Sequence, residues 1–234
     1  GDVYKRQIKS IGDHRIKLIA FDKNQERGAA RNAGIEKSQG KYICFLDSDD
    51  FFRPNHLANF KNHISKTDNP VQLFYSNTML RSGNGETEHK QPEMMKNNVF
   101  GHILRYTFNP SRVCVHRSIL QDFQFDKTIP GIEDLDLWLR IATKYSIVQL
   151  PEFTSIYVLH ADAYTSNLSN RFFKELKSFK TVFKKPELKS VLPRREKSFL
   201  FSKCHYHIAM VYFKREASLR TLKHSFLAFI TYPK

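Results

Sequence analysis

The feature that most restricts this chain is a short apolar run, Tyr42–Leu46 (YICFL), that stops at once in Asp47-Ser48-Asp49-Asp50. An unbroken apolar run, as opposed to an alternating one, suits a strand buried on both faces, as in a parallel sheet covered by helices. Three carboxylates within four residues are costly beside such a strand. Like charges this close raise one another's pKa unless a cation joins them. A hard divalent ion such as Mg²⁺ or Mn²⁺, shared with phosphate oxygens, is the usual solution. The carboxyl end of a strand in an open α/β sheet is also where ligands bind. The alternative is a solvated acidic turn that caps the next helix.

Around this point the chain alternates between strand and helix patterns. Gly1–Gln7 has no periodicity; it resembles adapter read-through or a cloning scar and is set aside. Ile16–Phe21 (IKLIAF) predicts a buried strand. Gln25–Gln39 predicts a helix with a small-residue face of Ala29, Ala30, Ala33 and Ile35, and Gly40 as its C′ cap. Pro54 opens a helix whose apolar face is Leu57, Phe60 and Ile64. Val71–Tyr75 and Arg112–Val115 predict strands, with Arg81–Glu93 a polar connection between them. Gly131–Tyr145 predicts a helix, and Ile147–Leu150 and Ser155–Leu159 complete the sheet. From Asn170 only helical patterns remain, broken by Pro186 and Pro193.

An apolar strand ending in Asp-x-Asp also occurs in phosphatases of the haloacid dehalogenase type. That family continues with Thr or Val two residues after the second Asp, where this chain has Asp50 and Phe51, so the match is poor. A longer resemblance decides the matter. Asn24-Gln25-Glu26-Arg27-Gly28-Ala29-Ala30-Arg31-Asn32-Ala33-Gly34-Ile35, then Gly40-Lys41-Tyr42-Ile43, then Phe45-Leu46-Asp47-Ser48-Asp49-Asp50, closely resembles family 2 glycosyltransferases. The resemblance implies a nucleoside diphosphate sugar donor, with Asp47, Asn24, Arg27 and Arg31 toward the donor. It also implies Mn²⁺ or Mg²⁺ at Asp49 and Asp47. A structural salt bridge is the competing role for Arg31.

The family's second hallmark, an "ED" pair opening a helix and followed by W-x-x-R, is matched by Glu133-Asp134-Leu135-Asp136-Leu137-Trp138-Leu139-Arg140. Carboxylates at a helix N-terminus also serve as caps stabilised by the dipole. Sugar transfer needs a base for the acceptor hydroxyl, across the anomeric carbon from the leaving diphosphate. By resemblance Asp134 is that base, Glu133 orients it or the acceptor, and Asp136 and Arg140 are structural. His160 stands where such enzymes often have a histidine that completes the metal or diphosphate site.

Charge is concentrated at one end. Residues 171–234 hold 16 of the 38 Lys/Arg and only 4 of the 23 Asp/Glu, which accounts for +12 of the net +15. A basic segment suits nucleic acid or an anionic membrane surface. Phe172, Phe173, Phe179, Phe183, Phe199 and Phe201 interleave with its cations, but at spacings typical of buried helix faces. No RNP, KH or zinc-knuckle pattern is present, so no nucleic-acid partner is expected. Cys44, Cys114 and Cys204 lie far apart without CxxC spacing, which reads as three reduced thiols. No apolar stretch approaches the ~20 residues of a transmembrane helix.

The expected fold is an α/β, GT-A-type nucleotide-sugar-binding domain over 8–168, a mostly parallel twisted sheet flanked by helices. A basic C-terminal helical extension over 169–234 follows. The family's Ile-Pro-x-Tyr-Asn-like opening and Asp-Gly-Ser/Thr motif do not occur, so the domain is expected to lack its first strand and half of the nucleotide pocket. The expected activity is inverting transfer to an acceptor hydroxyl, on a saccharide or lipid-linked saccharide, in surface polysaccharide or glycoconjugate synthesis. The expected location is cytoplasmic, with residues 171–234 against the inner face of the membrane. A non-catalytic glycosyltransferase-like module is the alternative.

Overall fold

The computed structural model describes residues 2–160, 168–214 and 218–232. Helix α1 (Asp2–Ser10) leads into the Ile16–Phe21 run, which does not form the expected buried strand. Ile16, Leu18, Ile19 and Phe21 are all exposed. An apolar run becomes a strand only where a neighbour pairs its backbone groups, and no described strand does so here. Helix α2 (Glu26–Lys37) buries Ala29, Asn32 and Ile35. Its Asn32 amide donates to the Phe125 carbonyl at 2.9 Å and accepts from the Phe125 N–H at 3.0 Å. Ser38 ends this helix, with both its N–H and its hydroxyl donating to the Ile35 carbonyl. Gly40 has no left-handed backbone, so the expected C′ cap is not formed there.

The sheet then builds from β1 (Tyr42–Cys44), β2 (Phe51–Phe52), β3 (Leu73–Ser82), β4 (Gly85–His89), β5 (Val113–His116) and β6 (Ile147–Val158). Between them lie α3 (His56–Ile64), α4 (Val99–Arg105), α5 (Arg117–Asp122) and α6 (Glu133–Ala142). The strand order is β1-β5-β3-β6-β2, with β4 folded back on the end of β3. Among the described residues only β3 and β6 run parallel; β1–β5, β2–β6, β3–β4 and β3–β5 are all antiparallel.

The expected mostly parallel sheet is therefore corrected to a mixed sheet in which antiparallel pairs predominate. The cause lies in the inference from YICFL. Ile43 and Phe45 are buried, but Tyr42 and Cys44 are half-buried and Leu46 is exposed. The run is an edge strand with unequal faces, not one sealed between two helix layers. Strand direction is set by distant chain connections that an apolar run does not encode. The two short strands expected at the end of the sheet are one long strand through Pro151. A register shift between Tyr75 and Asn77 accommodates the missing N–H, and the Asn77 amide donates to the Pro151 carbonyl at 2.9 Å.

One face of the sheet carries the main core, centred on α6, where Leu135, Leu137, Trp138, Leu139 and Ile141 are all buried. The Trp138 indole N–H donates to the Phe108 carbonyl at 2.9 Å, which satisfies the polar edge of a fully buried ring. The opposite face carries a smaller cluster of Phe60, Phe74, Cys114 and Leu150 beneath α3.

The C-terminal helices are α7 (Leu168–Val182), α8 (Pro186–Lys189), α9 (Arg194–Phe213) and α10 (Ser218–Thr231). Helices α7, α8 and α9 share the main core, to which they contribute Phe172, Phe179, Val182, Leu188, Leu200 and Ile208. Phe172, Phe179 and Phe183 are buried, and Phe173, Phe199 and Phe201 pack against the same core. These six phenylalanines of the basic segment are thus packing residues. Among the described residues, no helix is long and apolar enough to cross a membrane.

Candidate active site

A cleft of about 640 Å³ opens at the end of β1, where the apolar run meets the carboxylates. Arg27 and Arg31 from α2, Asp47 and Asp49 from the turn, and Asp134 from the first turn of α6 all line it. Residues more than a hundred positions apart in sequence therefore face one space.

Asp47 is held from two sides. Its backbone N–H donates to the Ser111 hydroxyl at 3.0 Å, and its carboxylate accepts from Arg31 at 2.7 Å. Arg31 also pairs with Glu133 at 2.9 Å, and Arg27 reaches Glu133 at 3.2 Å. Burial works against the Arg31 charge, but Asp47 and Glu133 together hold its pKa above the ordinary value. Arg31 thus bridges the two acidic motifs and fixes the distance between them. The structural salt bridge weighed for Arg31 is formed, and the same side chain lines the cleft.

Asp49 is exposed, and its carboxylate lies 3.1 Å from Nε2 of His160 at the end of β6. Two ligand atoms placed cis on an octahedral ion at about 2.1 Å would lie about 3 Å apart, so this spacing fits a shared divalent ion. The described residues contain no cluster of three or more such groups, so any remaining positions would fall to water or phosphate oxygens.

Asp50 plays a different part. It is buried, accepts from the Asn109 amide at 3.0 Å and from the Val158 N–H at 3.3 Å, and ties the acidic turn to β6. Burial, with Asp47 and Asp49 adding to it, raises its pKa to about 6. Asn24 stands outside the cleft. Its side chain accepts from the Glu26 N–H at 2.8 Å and shapes the entry to α2.

The backbone at Gly131, φ +84°, turns the chain into α6 and presents Glu133 and Asp134. Glu133 is buried against the arginines, and Asp134 is half-buried on the cleft side. Burial, then the neighbouring Glu133 charge, push the Asp134 pKa up to about 7. Asp136, fully buried, accepts from Arg140 at 2.9 Å and forms an ion pair with Lys185 of the C-terminal segment at 2.7 Å. Both Asp136 and Arg140 serve packing.

Several cleft residues carried no local signal in the sequence. Arg105 from α4, Arg171 from α7 and Lys203 from α9 form the far wall, so the basic C-terminal helices face the carboxylates. Arg112 also lines the cleft. It is buried, donates to the Ser76 carbonyl at 2.7 Å, and burial lowers its pKa to about 10. Its position at the mouth of an apolar strand was the only hint available.

With this geometry in place, comparison with known proteins is direct. The model of the family described as "Glycosyl transferase family 2" matches residues 2–125, more than half of the chain. The chain belongs to glycosyl transferase family 2. An uncharacterized glycosyltransferase of Methanocaldococcus jannaschii is 31% identical over 182 residues, covering 74% of this chain and 61% of the relative. An uncharacterized Bacillus subtilis glycosyltransferase is 28% identical and is covered over 54% of its length. The chain thus spans little more than half of these relatives. A UDP-Glc:α-D-GlcNAc-diphosphoundecaprenol β-1,3-glucosyltransferase of Escherichia coli is 27% identical over 73% of this chain. The crystal structure of S. aureus TarS residues 1–349 with UDP-GlcNAc superposes on 96% of the chain with a TM-score of 0.61 at 12% identity. That likeness extends the GT-A-related fold through the C-terminal helices.

Proposed function

We propose that this family 2 glycosyltransferase moves a sugar from a nucleoside diphosphate sugar to an acceptor hydroxyl with inversion, and that Asp134 is the general base. The observation that carries the reading is the convergence of Asp47, Asp49 and Asp134 on one cleft, linked through Arg31. Asp49 and His160 would hold Mn²⁺ or Mg²⁺ between them, with Asp47 beside them, and a bound ion would neutralise the leaving diphosphate. Arg27 and Arg31 face the donor's phosphates. Glu133, pinned by both arginines, keeps Asp134 in place and sustains its raised proton affinity. A base whose pKa lies near working pH both takes and releases a proton readily.

The acceptor is proposed to be a saccharide or lipid-linked saccharide of surface glycoconjugate synthesis, since one relative is named for a diphosphoundecaprenol-linked acceptor. An anionic membrane surface, met through residues 171–234, is proposed to bring such an acceptor to the cleft.

Two variants test the chemistry. Asp134→Asn is expected to leave donor binding nearly unchanged and to cut turnover by about 10²–10⁴. Equal loss of affinity and rate would make Asp134 a binding residue. Asp49→Ala is expected to abolish the divalent-dependent part of nucleoside diphosphate binding, measured by calorimetry with and without Mn²⁺. If that part survives, the acidic turn is only a cap.

A further inference from the structure

Seventy residues apart in sequence, Cys44 and Cys114 are directly opposite each other on β1 and β5. The Arg117 N–H donates to the Lys41 carbonyl at 2.9 Å, which marks 41/117 as a hydrogen-bonded pair of this antiparallel ladder. Counting along the alternation makes 44/114 a non-hydrogen-bonded pair. In such pairs the Cα atoms approach to about 4.5 Å and the side chains are closest. That spacing falls within the range of about 4.4–6.8 Å that a disulfide spans.

His56 lies on α3, over the face of the sheet that carries both thiols. It is 1% exposed, stacked on Phe52 at 3.7 Å and edge-on to Phe60 at 5.0 Å. Its Nδ1 lies 3.1 Å from the Thr154 carbonyl and 2.8 Å from the Thr154 hydroxyl. Nε2 is buried without a hydrogen-bond partner of its own. The Cys114 thiol first and His56 second lower the Cys44 pKa below the ordinary value, against burial. The Cys114 thiol is pushed up by its contact with Cys44 and by burial. Tyr42, on the same face of β1, is the other titratable group toward Cys114. Cys44 is half-buried while Cys114 and Cys204 are buried, so a reagent from solvent meets Cys44 first.

We infer that Cys44 is a reactive thiol, the point at which hydrogen peroxide modifies this chain, and that Cys114 is its resolving partner. The Cys44 thiolate attacks the distal oxygen of the peroxide. An S–O bond forms and the O–O bond breaks; two electrons pass from sulfur to oxygen. The leaving hydroxide takes a proton from solvent and departs as water. The Cys114 thiol then attacks the sulfenic sulfur, the S–S bond forms, and the S–O bond breaks. The second water carries away the Cys114 proton, so two thiols and one peroxide give one disulfide and two waters. The bridge would staple β1 to β5 below the turn where the Asp47 N–H meets Ser111.

The test uses the intact chain and hydrogen peroxide, followed by peptide mass spectrometry. The expected result is a Cys44–Cys114 disulfide with Cys204 still free. In Cys114→Ser, dimedone should trap sulfenic acid at Cys44. Iodoacetamide labelling of Cys44 in the untreated chain should reach half its maximal rate at a pH clearly below the value of about 8.5 for an ordinary cysteine. The profile is independent of how access slows the reagent, and no core residue need be changed to measure it. Recovery of both thiols after peroxide, with the circular dichroism unchanged, would overturn the inference. So would half-maximal labelling at about 8.5.

Discussion

At the scale of single residues, the site works through one cation that serves two acidic motifs. Arg31 and Glu133 are both largely buried, and breaking such a pair by removing one partner costs about 3–5 kcal/mol because the other charge is left uncompensated. Arg31→Met is therefore expected to destabilise by about that amount in denaturant unfolding, more than a surface substitution could. Asp134 adds a pH signature. Its raised pKa means that the folded chain holds an extra proton between about pH 4 and 7. Stability therefore falls as pH rises through that window, since the folded state binds more protons there than the unfolded one. Activity should move the opposite way and rise as Asp134 ionises near pH 7. Asp134→Asn should reduce the stability slope, leaving the part owed to Asp50, and flatten the residual rate profile. The residue types at this site were readable in the sequence, because carboxylates and arginines stand in short contiguous motifs. The Arg31 bridge to both motifs was not readable, since the partners lie 16 and 102 positions away.

At the scale of elements, the turn into α6 decides where Glu133 and the proposed base Asp134 point. Gly131 occupies φ +84°, a left-handed conformation that costs a side-chain-bearing residue about 1–2 kcal/mol. Gly131→Ala should lower the melting temperature by a few degrees and reduce turnover by misaiming Asp134. Gly131→Asn, whose short side chain tolerates this region, should recover most of both. Helices α2 and α6 were legible from their periodicity and acidic or small-residue faces. Strand limits were less so. The polar Arg81–Glu93 connection contains the end of β3 and all of β4, because exposed hairpin strands carry polar side chains on both faces. Ile16–Phe21 had the composition of a strand but lacked a partner.

At the scale of the whole molecule, the basic C-terminal helices behave in two ways. Helices α7 and α9 bury their phenylalanines and leucines in the main core, and they supply Arg171 and Lys203 to the cleft. Helix α10 packs along α9 instead. Its Leu219, Leu222, Phe226 and Phe229 are 84, 66, 63 and 80% exposed. These positions recur at helical spacing, so α10 presents an apolar stripe outward, with Arg220 and Lys223 on the same helix. A cationic helix with an open apolar stripe suits the surface of an anionic bilayer. Each Lys or Arg near such a surface contributes about 1 kcal/mol, so a few suffice for weak, salt-sensitive attachment. Sedimentation should show binding to anionic vesicles at low salt and release at high salt, with little binding to neutral vesicles. Indifference to lipid charge would assign the charge to solubility alone.

The amino-acid sequence by itself determined the acidic turn after an apolar strand, the paired acids at a helix start and the helical nature of the C-terminal third. Each is a local matter of adjacent side chains, their charge and their periodicity. Only the tertiary structure decided that the sheet is mixed, that Cys44 meets Cys114, that Arg31 joins two motifs and that the basic helices wall the cleft. Those facts depend on which distant segments pair and in which direction. Backbone hydrogen bonding and burial of the whole chain settle that choice, and no short window of sequence contains both partners.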